Sequence, residues 1–441
     1  MIEGFLKWFE RFGISSAIIV AIIGVTLLLV AFSITNVALS TVISFAIALS
    51  PIWLPTILFF LFFEKWMDYI KKSFKLDQGN TTLEILLPEE ILKSPLAMEL
   101  VLTHFFQKSG PDNLLQTYID GKHPPVFGLE IVSDGGKIRF FINTPKKKFK
   151  NIIETQLYSQ YPGIEVRELD VDYTAEIDSE LEEFDLFSIH FGIKKADVYP
   201  IKTYIDYGLD KDPKEEFKID PMTQMLDMMG SIGPNERIWI QILISAHRKE
   251  DFEVGTLGLV PEWTDSIKAE INKLAGRDAK KLGPAELESQ PRLTEGERNV
   301  IKALERSMSK TPFNTAIRAI YAAKKGYFLP GERIGAIITS WAQYGDNMLN
   351  SIALKWRTDY SWPWWQDPSG KKRVHHKKRE LNEYKRRAYD PQSGGDGKFI
   401  MTNEELATIF HLPGKVAGTP TLGRIPSARA EAPPNLPIGN F

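Results

Sequence analysis

From Ile14 to Phe63 the chain carries no charged residue. As one straight helix this run would rise ~75 Å at 1.5 Å per residue, against a hydrocarbon core of ~30 Å. The pattern therefore predicts a transmembrane hairpin over 14–63. Its spans are Ile14–Ile34 and Thr41–Phe63, turning at the polar "TNVALST". A cleaved leader would need a much shorter apolar stretch. Lys7 and Arg11 precede the run, Lys65, Lys71, Lys72 and Lys75 follow it, and the turn has neither Lys nor Arg. Both ends are then expected on the cytoplasmic side. Residues 1–13 become a cytoplasmic N-terminus and 64–80 a basic juxtamembrane linker. The expectation is a multi-pass protein of the plasma (inner) membrane, with the bilayer as partner and its body in the cytoplasm. No ionisable side chain lies in the spans, which argues against a transporter.

After residue 80 the periodicity changes. "TTLEILLP" reads as a strand, and "SPLAMELVLTHFFQK" as a helix with Ser94 and Pro95 at its start. "VFGLEIVSDGGKIRFFINTP" alternates on both sides of Asp134-Gly135-Gly136, a hairpin signal. "KKKFKNIIETQLYSQYP" is amphipathic, and "GIEVRELDV" closes as a strand. The order β-α-β-β-α-β predicts a ferredoxin-like (split βαβ) lobe over 81–180. A second ferredoxin-like α+β lobe is expected over 181–360. "FDLFSIHFGI", "ERIWIQILISAHR" and "FNTAIRAIYAAKKGYF" supply its strands, and a Thr294-x-x-Glu297 capping box opens a helix. Met222, Met225, Met228 and Met229 read as filling of its core. The fold class is thus α+β: the helical hairpin, two lobes, a Trp/basic segment with a short helix (361–412), and a proline-rich extended tail (413–441).

Composition narrows the chemistry. Net charge is -2 over 441 residues, so any nucleic-acid contact must come from a local patch. Cysteine is absent, which removes disulfides and thiolate metal sites. Each of the five Gly-Lys pairs is followed by His, Ile, Lys, Phe or Val, so the hydroxyl of a phosphate-binding loop is missing. No zinc-protease, nucleophile-elbow or dinucleotide motif occurs. His375-His376 does not offer a metal-ligand spacing. The acidic run around Glu182-Glu183 reads as a solvated connector. No catalytic, cofactor-binding or metal residue is assigned, and no enzyme activity is expected.

One segment stands out. "KKRVHHKKRELNEYKRR" follows "YSWPWWQDPSG". Trp364, Trp365, Lys371, Lys372, Arg373, Lys377, Lys378, Arg379, Arg386 and Arg387 combine stacking surfaces with cations. They fit a nucleic acid, an anionic lipid surface or a protein partner; a solvated helix with docked aromatics accounts for them equally well. Farther on, Thr402 and Glu405 read as a capping box, and Leu406, Ile409 and Phe410 form a face for partner docking. Six prolines between Pro413 and Phe441 predict an extended, semi-stiff tail.

Several stretches together resemble a known family. They are "LEILLPEEILKSPLAMELVL", "FGLEIVSDGGKIRFFINTP", "IETQLYSQYPGIEVRELDVDY", "IGPNERIWIQILISAHR", "WPWWQDPSG" and "TNEELATIFHLPG…TPTLGRIPSARAEAPPNLPIG". Their order resembles the membrane-proximal, non-motor half of bacterial type IV secretion and conjugation ATPases, the coupling-protein-like DNA translocases. In that family a motor domain follows the proline-rich neck, whereas this sequence ends at Phe441. The resemblance implies a membrane-anchored accessory or scaffold protein. Its partners would be a separate hexameric motor ATPase, DNA, and further copies of itself by analogy with ring-forming motors. The alternative reading is a membrane-tethered nucleic-acid-binding module using the Trp/basic segment. An enzyme with an unrecognised site is the third.

Overall fold

The computed structural model describes residues 44, 47–88, 93–107, 113–211, 220–247, 263–276, 293–358, 367–388, 398–414 and 424–425. In chain order its elements are α1 (Ser50–Gln78), β1 (Asn80–Pro88), α2 (Leu96–Thr103), α3 (Leu114–Tyr118), β2 (Phe127–Asp134), β3 (Lys137–Pro145), α4 (Lys146–Gln160) and β4 (Glu165–Glu168). Then follow β5 (Phe184–Ile193), α5 (Met222–Gly230), β6 (Glu236–Ala246), α6 (Trp263–Leu274), α7 (Glu295–Met308), β7 (Pro312–Lys324), α8 (Pro330–Thr339) and β8 (Ile352–Arg357). The last are α9 (Lys371–Lys385), β9 (Phe399–Thr402), α10 (Asn403–Ile409) and β10 (Arg424–Ile425).

The transmembrane hairpin is corrected. Among the described residues no helix is long and apolar enough to cross a membrane. The first expected span lies outside the described residues. The second falls on α1, a helix of 29 residues whose sequence turns charged at Glu64 and Lys65. Its uncharged part, about 14 residues, rises only about 21 Å, short of a ~30 Å core. The charged half instead belongs to the body. Met67 and Ile70 are buried, and the Trp66 indole donates to the Tyr118 carbonyl at 2.8 Å. The plasma-membrane, multi-pass placement rested on this hairpin and falls with it.

The α+β class is what the structure shows, but as one sheet, not two separate lobes. Its main strands run β4-β1-β3-β2-β6-β7-β5-β8, each antiparallel to its neighbours. From either end inward the connectivity is the same, fourth-first-third-second strand, once for β1–β4 and once for β5–β8. The two units meet where β2 pairs with β6, from Phe127–Ile244 to Asp134–Arg237. In the first unit the β2–β3 turn is tight, with Gly135 and Gly136 both at positive φ (+55° and +90°), as a type I′ hairpin requires. In the second unit α6 and α7 are inserted at the equivalent place.

Strand alternation splits the side chains between two faces. Leu129, Ile131, Ile142, Ile240, Ile242 and Ala319 face the larger core, which α2, α4, α5, α8 and α10 cover. Met222, Met225 and Met229 are buried there. Val132, Phe141, Trp239 and Ile320 face the other side, where Leu381 and Tyr384 of α9 pack. The tail also departs from expectation: β10 returns to the sheet and pairs parallel with Leu87 and Pro88 of β1. The rest of the tail beyond Gly414 lies outside the described residues.

Candidate functional site

The face beneath α9 carries a polar row. Strand registers align Arg167, Glu84, Phe141, Glu130, Gln241, Arg318, His190 and Trp356 across all eight main strands. Its middle members, Glu130, Gln241, Arg318 and His190, sit on β2, β6, β7 and β5. Each stands between two apolar neighbours on its strand, and each is buried, at 0%, 0%, 4% and 8% exposure.

Burying charge is costly unless donors and acceptors match. Here they largely match. Glu130 accepts from the Gln241 amide at 2.6 Å, the Tyr173 hydroxyl at 2.8 Å, and Arg387 Nε and a terminal guanidinium nitrogen at 2.9 and 3.1 Å. The Gln241 carbonyl accepts from Nε of Arg318 at 2.8 Å and from one of its terminal nitrogens. Arg318 also donates to the Glu383 carbonyl at 2.9 Å and lies 5.2 Å from the Tyr384 ring. His190 Nε2 meets the Glu380 carboxylate at 2.6 Å, and the Ser188 hydroxyl donates to the same oxygen at 3.3 Å.

Electrostatics follow from this enclosure. Burial pulls the Arg318 guanidinium below its ordinary pKa, against the opposing pull of Glu380, Tyr384 and Glu383. Burial acts the same way on Arg387, yet Glu130, Tyr173 and Asp172 outweigh it and raise its pKa. Burial and then Glu130 push Tyr173 and Tyr384 well above the usual phenol range. Glu383 is raised by burial and by Glu380 beside it. Outside the row, burial lowers the Lys75 ammonium to about 8, helped by Arg387, Arg318 and Arg386. That ammonium donates to the carbonyls of Arg386 and Arg387 at 2.7 and 2.9 Å, capping the end of α9.

Ser188, His190 and Glu380 contain the residue types of a nucleophilic triad, but not its order. Serine and histidine share one carboxylate oxygen, so the base does not reach the hydroxyl through a direct bond. All three are buried. Among the described residues no group of three or more His, Asp or Glu could hold a metal ion. The cluster can order a helix on a sheet.

The basic segment divides. Lys377 is buried and donates to Asp185 at 2.7 Å, Arg387 enters the row, Lys378 donates to Glu180 at 2.6 Å, and Arg379 lies 3.6 Å from Glu383. Lys371, Lys372, Arg373 and Arg386 are exposed. Asp367 accepts the backbone N–H groups of Lys372 and Arg373 at 3.1 and 2.9 Å. Trp364 and Trp365 lie outside the described residues.

Leu406, Ile409 and Phe410 are fully buried, with Phe410 edge-on to Phe140 at 6.0 Å, so this face is spent inside the protein. The Thr402–Glu405 capping box is present, and Glu405 also accepts the N–H of Ile201 at 2.9 Å. The row itself escaped the sequence reading, although its signal was there: one polar residue between apolar neighbours in each of "LEI", "IQI", "IRA" and "IHF".

Over residues 122–423 the sequence matches the family described as a domain of unknown function, DUF8128. No curated protein matches it.

Proposed function

The chain belongs to the DUF8128 family, and from its geometry we propose that it is a non-enzymatic scaffold, a rigid α+β platform presented to a separate motor ATPase. One observation carries this reading. Glu130, Gln241, Arg318 and His190 are buried beneath α9 and committed to hydrogen bonds, Gln241 with Glu130 and Arg318, and His190 with Glu380 of α9. Such a network fixes one arrangement of helix and sheet, which a docking platform needs. The motor partner is supported by the resemblance of the quoted stretches to the non-motor half of type IV secretion and conjugation ATPases.

The test has two arms. The purified chain should not hydrolyse ATP, and it should bind saturably, by biolayer interferometry, to a secretion-type motor ATPase encoded beside it. Hydrolysis by the chain alone overturns the scaffold assignment. Absence of binding to that motor overturns the partner.

A further inference from the structure

Two residues past α10, the His411 ring is enclosed, at 2% exposure. Its Nδ1 lies 2.9 Å from the Ala407 carbonyl oxygen, one turn back. Its Nε2 lies 3.0 Å from Oδ2 of Asp220, just before α5. A carbonyl and a carboxylate only accept hydrogen bonds, so each ring nitrogen must carry a hydrogen to satisfy its neighbour. The enclosed ring is therefore an imidazolium. Oδ1 of Asp220 accepts the Met222 N–H at 2.8 Å, which favours the ionised carboxylate.

The charges around α10 are paired elsewhere. Glu404 takes Arg306 of α7 at 3.0 Å and Lys310 at 3.3 Å, and Lys310 also takes Glu99 of α2 at 2.7 Å. Asp206 shares Arg306 at 3.1 Å, and Glu405 accepts the Ile201 N–H at 2.9 Å. Beyond α8, burial, Asp220 and Tyr207 keep the Tyr344 hydroxyl protonated, well above the usual phenol range. Burial opposes the His411 charge, but Asp220 and the backbone of Ala407 and Thr408 outweigh it and raise the ring above its ordinary 6.5. Burial likewise opposes the Asp220 charge, and His411 and the Met222 N–H hold that carboxyl below its usual range.

We propose that His411 and Asp220 form a proton-operated latch, which fastens the chain leaving α10 to the root of α5 while the ring holds both protons and releases it when one is lost to solvent. A neutral imidazole has one N–H for two acceptors. Deprotonation thus leaves the Ala407 carbonyl or the Asp220 carboxylate buried against a ring lone pair, which enclosure makes costly. The end of α10 is then held by the burial of Phe410 and Leu412, and Pro413 brings no N–H to add. The closed latch has the raised pKa. Its stabilisation is full below about pH 6.5 and is lost as pH rises through the closed-state midpoint.

Two readouts on the full-length chain test this. Long-range nitrogen–proton spectra of the histidine rings, with His411 identified by the signals missing from His411→Gln, should show an imidazolium whose midpoint lies above 6.5. The second readout is amide exchange at Met222, which donates to Asp220, and at Phe410, which donates to the Leu406 carbonyl. Across the midpoint their protection should fall about tenfold for each unit by which that midpoint exceeds 6.5, while β6 and β7 stay protected. His411→Gln should show no such step. Asp220→Asn keeps the size and removes the charge, so it should lower the His411 midpoint and move the step with it. A ring already neutral at pH 6.5 overturns the proposal. So does protection at Met222 and Phe410 that stays level across the midpoint, or that falls equally throughout the sheet.

Discussion

Arg387 reaches Glu130 through two hydrogen bonds, 2.9 and 3.1 Å, from a backbone held at φ +49°. The position follows the last turn of α9. The Arg387 N–H bonds the Tyr384 carbonyl at 2.9 Å and the Ala388 N–H bonds the Glu383 carbonyl at 3.0 Å. This is the Schellman end of a helix, where glycine is the usual residue because it tolerates left-handed backbone. Arginine there costs about 1 kcal/mol of strain. The guanidinium offsets this by neutralising a carboxylate that is wholly buried between β3 and β6.

Arg387→Gly should therefore destabilise the protein although it relieves the backbone. It leaves Glu130 buried without its cation, and breaking such a pair costs about 3–5 kcal/mol. Glu130→Gln should cost a similar amount for the converse reason. The double variant Glu130→Gln with Arg387→Met should lose clearly less than the two singles added together. Urea unfolding at neutral pH measures all three, and simple additivity would show that the pair is not the coupling unit.

Gln241 carries the row from one half of the sheet to the other. Its carbonyl takes Arg318 and its amide gives to Glu130. Gln241→Glu sets two carboxylates side by side and should destabilise by about 2–4 kcal/mol. Adding Glu130→Gln moves the single charge one strand across and should recover part of the loss. A double variant less stable than Gln241→Glu alone would contradict this account of the row.

Much of the sheet was legible because buried strands repeat every second residue and the β2–β3 turn is written as Asp-Gly-Gly. Its continuity was not, since β2–β6 pairing joins residues that no local pattern connects. The hairpin expectation failed at α1 because hydropathy counts an uncharged run without recording where the helix carrying it docks. For the basic segment, alternating Lys, Arg, Glu and Tyr read as a solvated strip. The decisive fact is that Lys377, Glu380, Tyr384 and Arg387 fall on one side of α9, opposite a sheet face with charges of its own. Glu130, His190, Gln241 and Arg318, each between apolar neighbours, marked that face, but one sequence does not tell which strands lie side by side.

Glu405 should make stability depend on pH. Burial raises its carboxyl from 4.5 to about 7, only partly offset by the Thr402 and Ile201 N–H groups. A folded pKa above the unfolded one means the folded state holds the extra proton across that window. Its contribution is full below about pH 4.5 and is lost as pH rises through 7, on the order of 3 kcal/mol. Glu405→Gln keeps the capping box and removes the titration. Its unfolding free energy minus that of the parent should rise between pH 4.5 and 7.5; a flat difference would mean Glu405 is already ionised at acid pH.

Lys75 titrates the other way. Its folded pKa, about 8, lies below the ordinary 10.5, so the unfolded chain binds more protons between these values and stability rises with pH there. Lys75→Met should abolish that rise. At pH 7 it should also uncap α9, because the last carbonyls lose a charged donor worth about 1 kcal/mol or more. Amide exchange at Arg386, Arg387 and Ala388 should then accelerate while the β6 and β7 strands stay protected. Acceleration throughout the sheet would show that Lys75 holds the whole fold.

Gly121 tests how α1 is joined to the body. It has φ +65°, and a Cβ there would lie 2.4 Å from the Ile70 carbonyl oxygen. Gly79, just past α1, has nearly the same φ, +63°, with nothing within 4 Å of such a Cβ. Gly79→Ala isolates backbone strain, about 1–3 kcal/mol at φ +63° and ψ 154°. Gly121→Ala adds a clash with backbone that cannot swing aside, so its cost should be larger by about 1–3 kcal/mol. The clash separates α1 from the segment that holds it, where Trp66 donates to Tyr118. Exchange should therefore rise in residues 63–78 of Gly121→Ala and not of Gly79→Ala. Because Lys75 caps α9, the same variant should loosen Arg386 and Arg387 as well. If the two alanine variants behave alike, close packing at Gly121 is not what fastens α1 to the sheet.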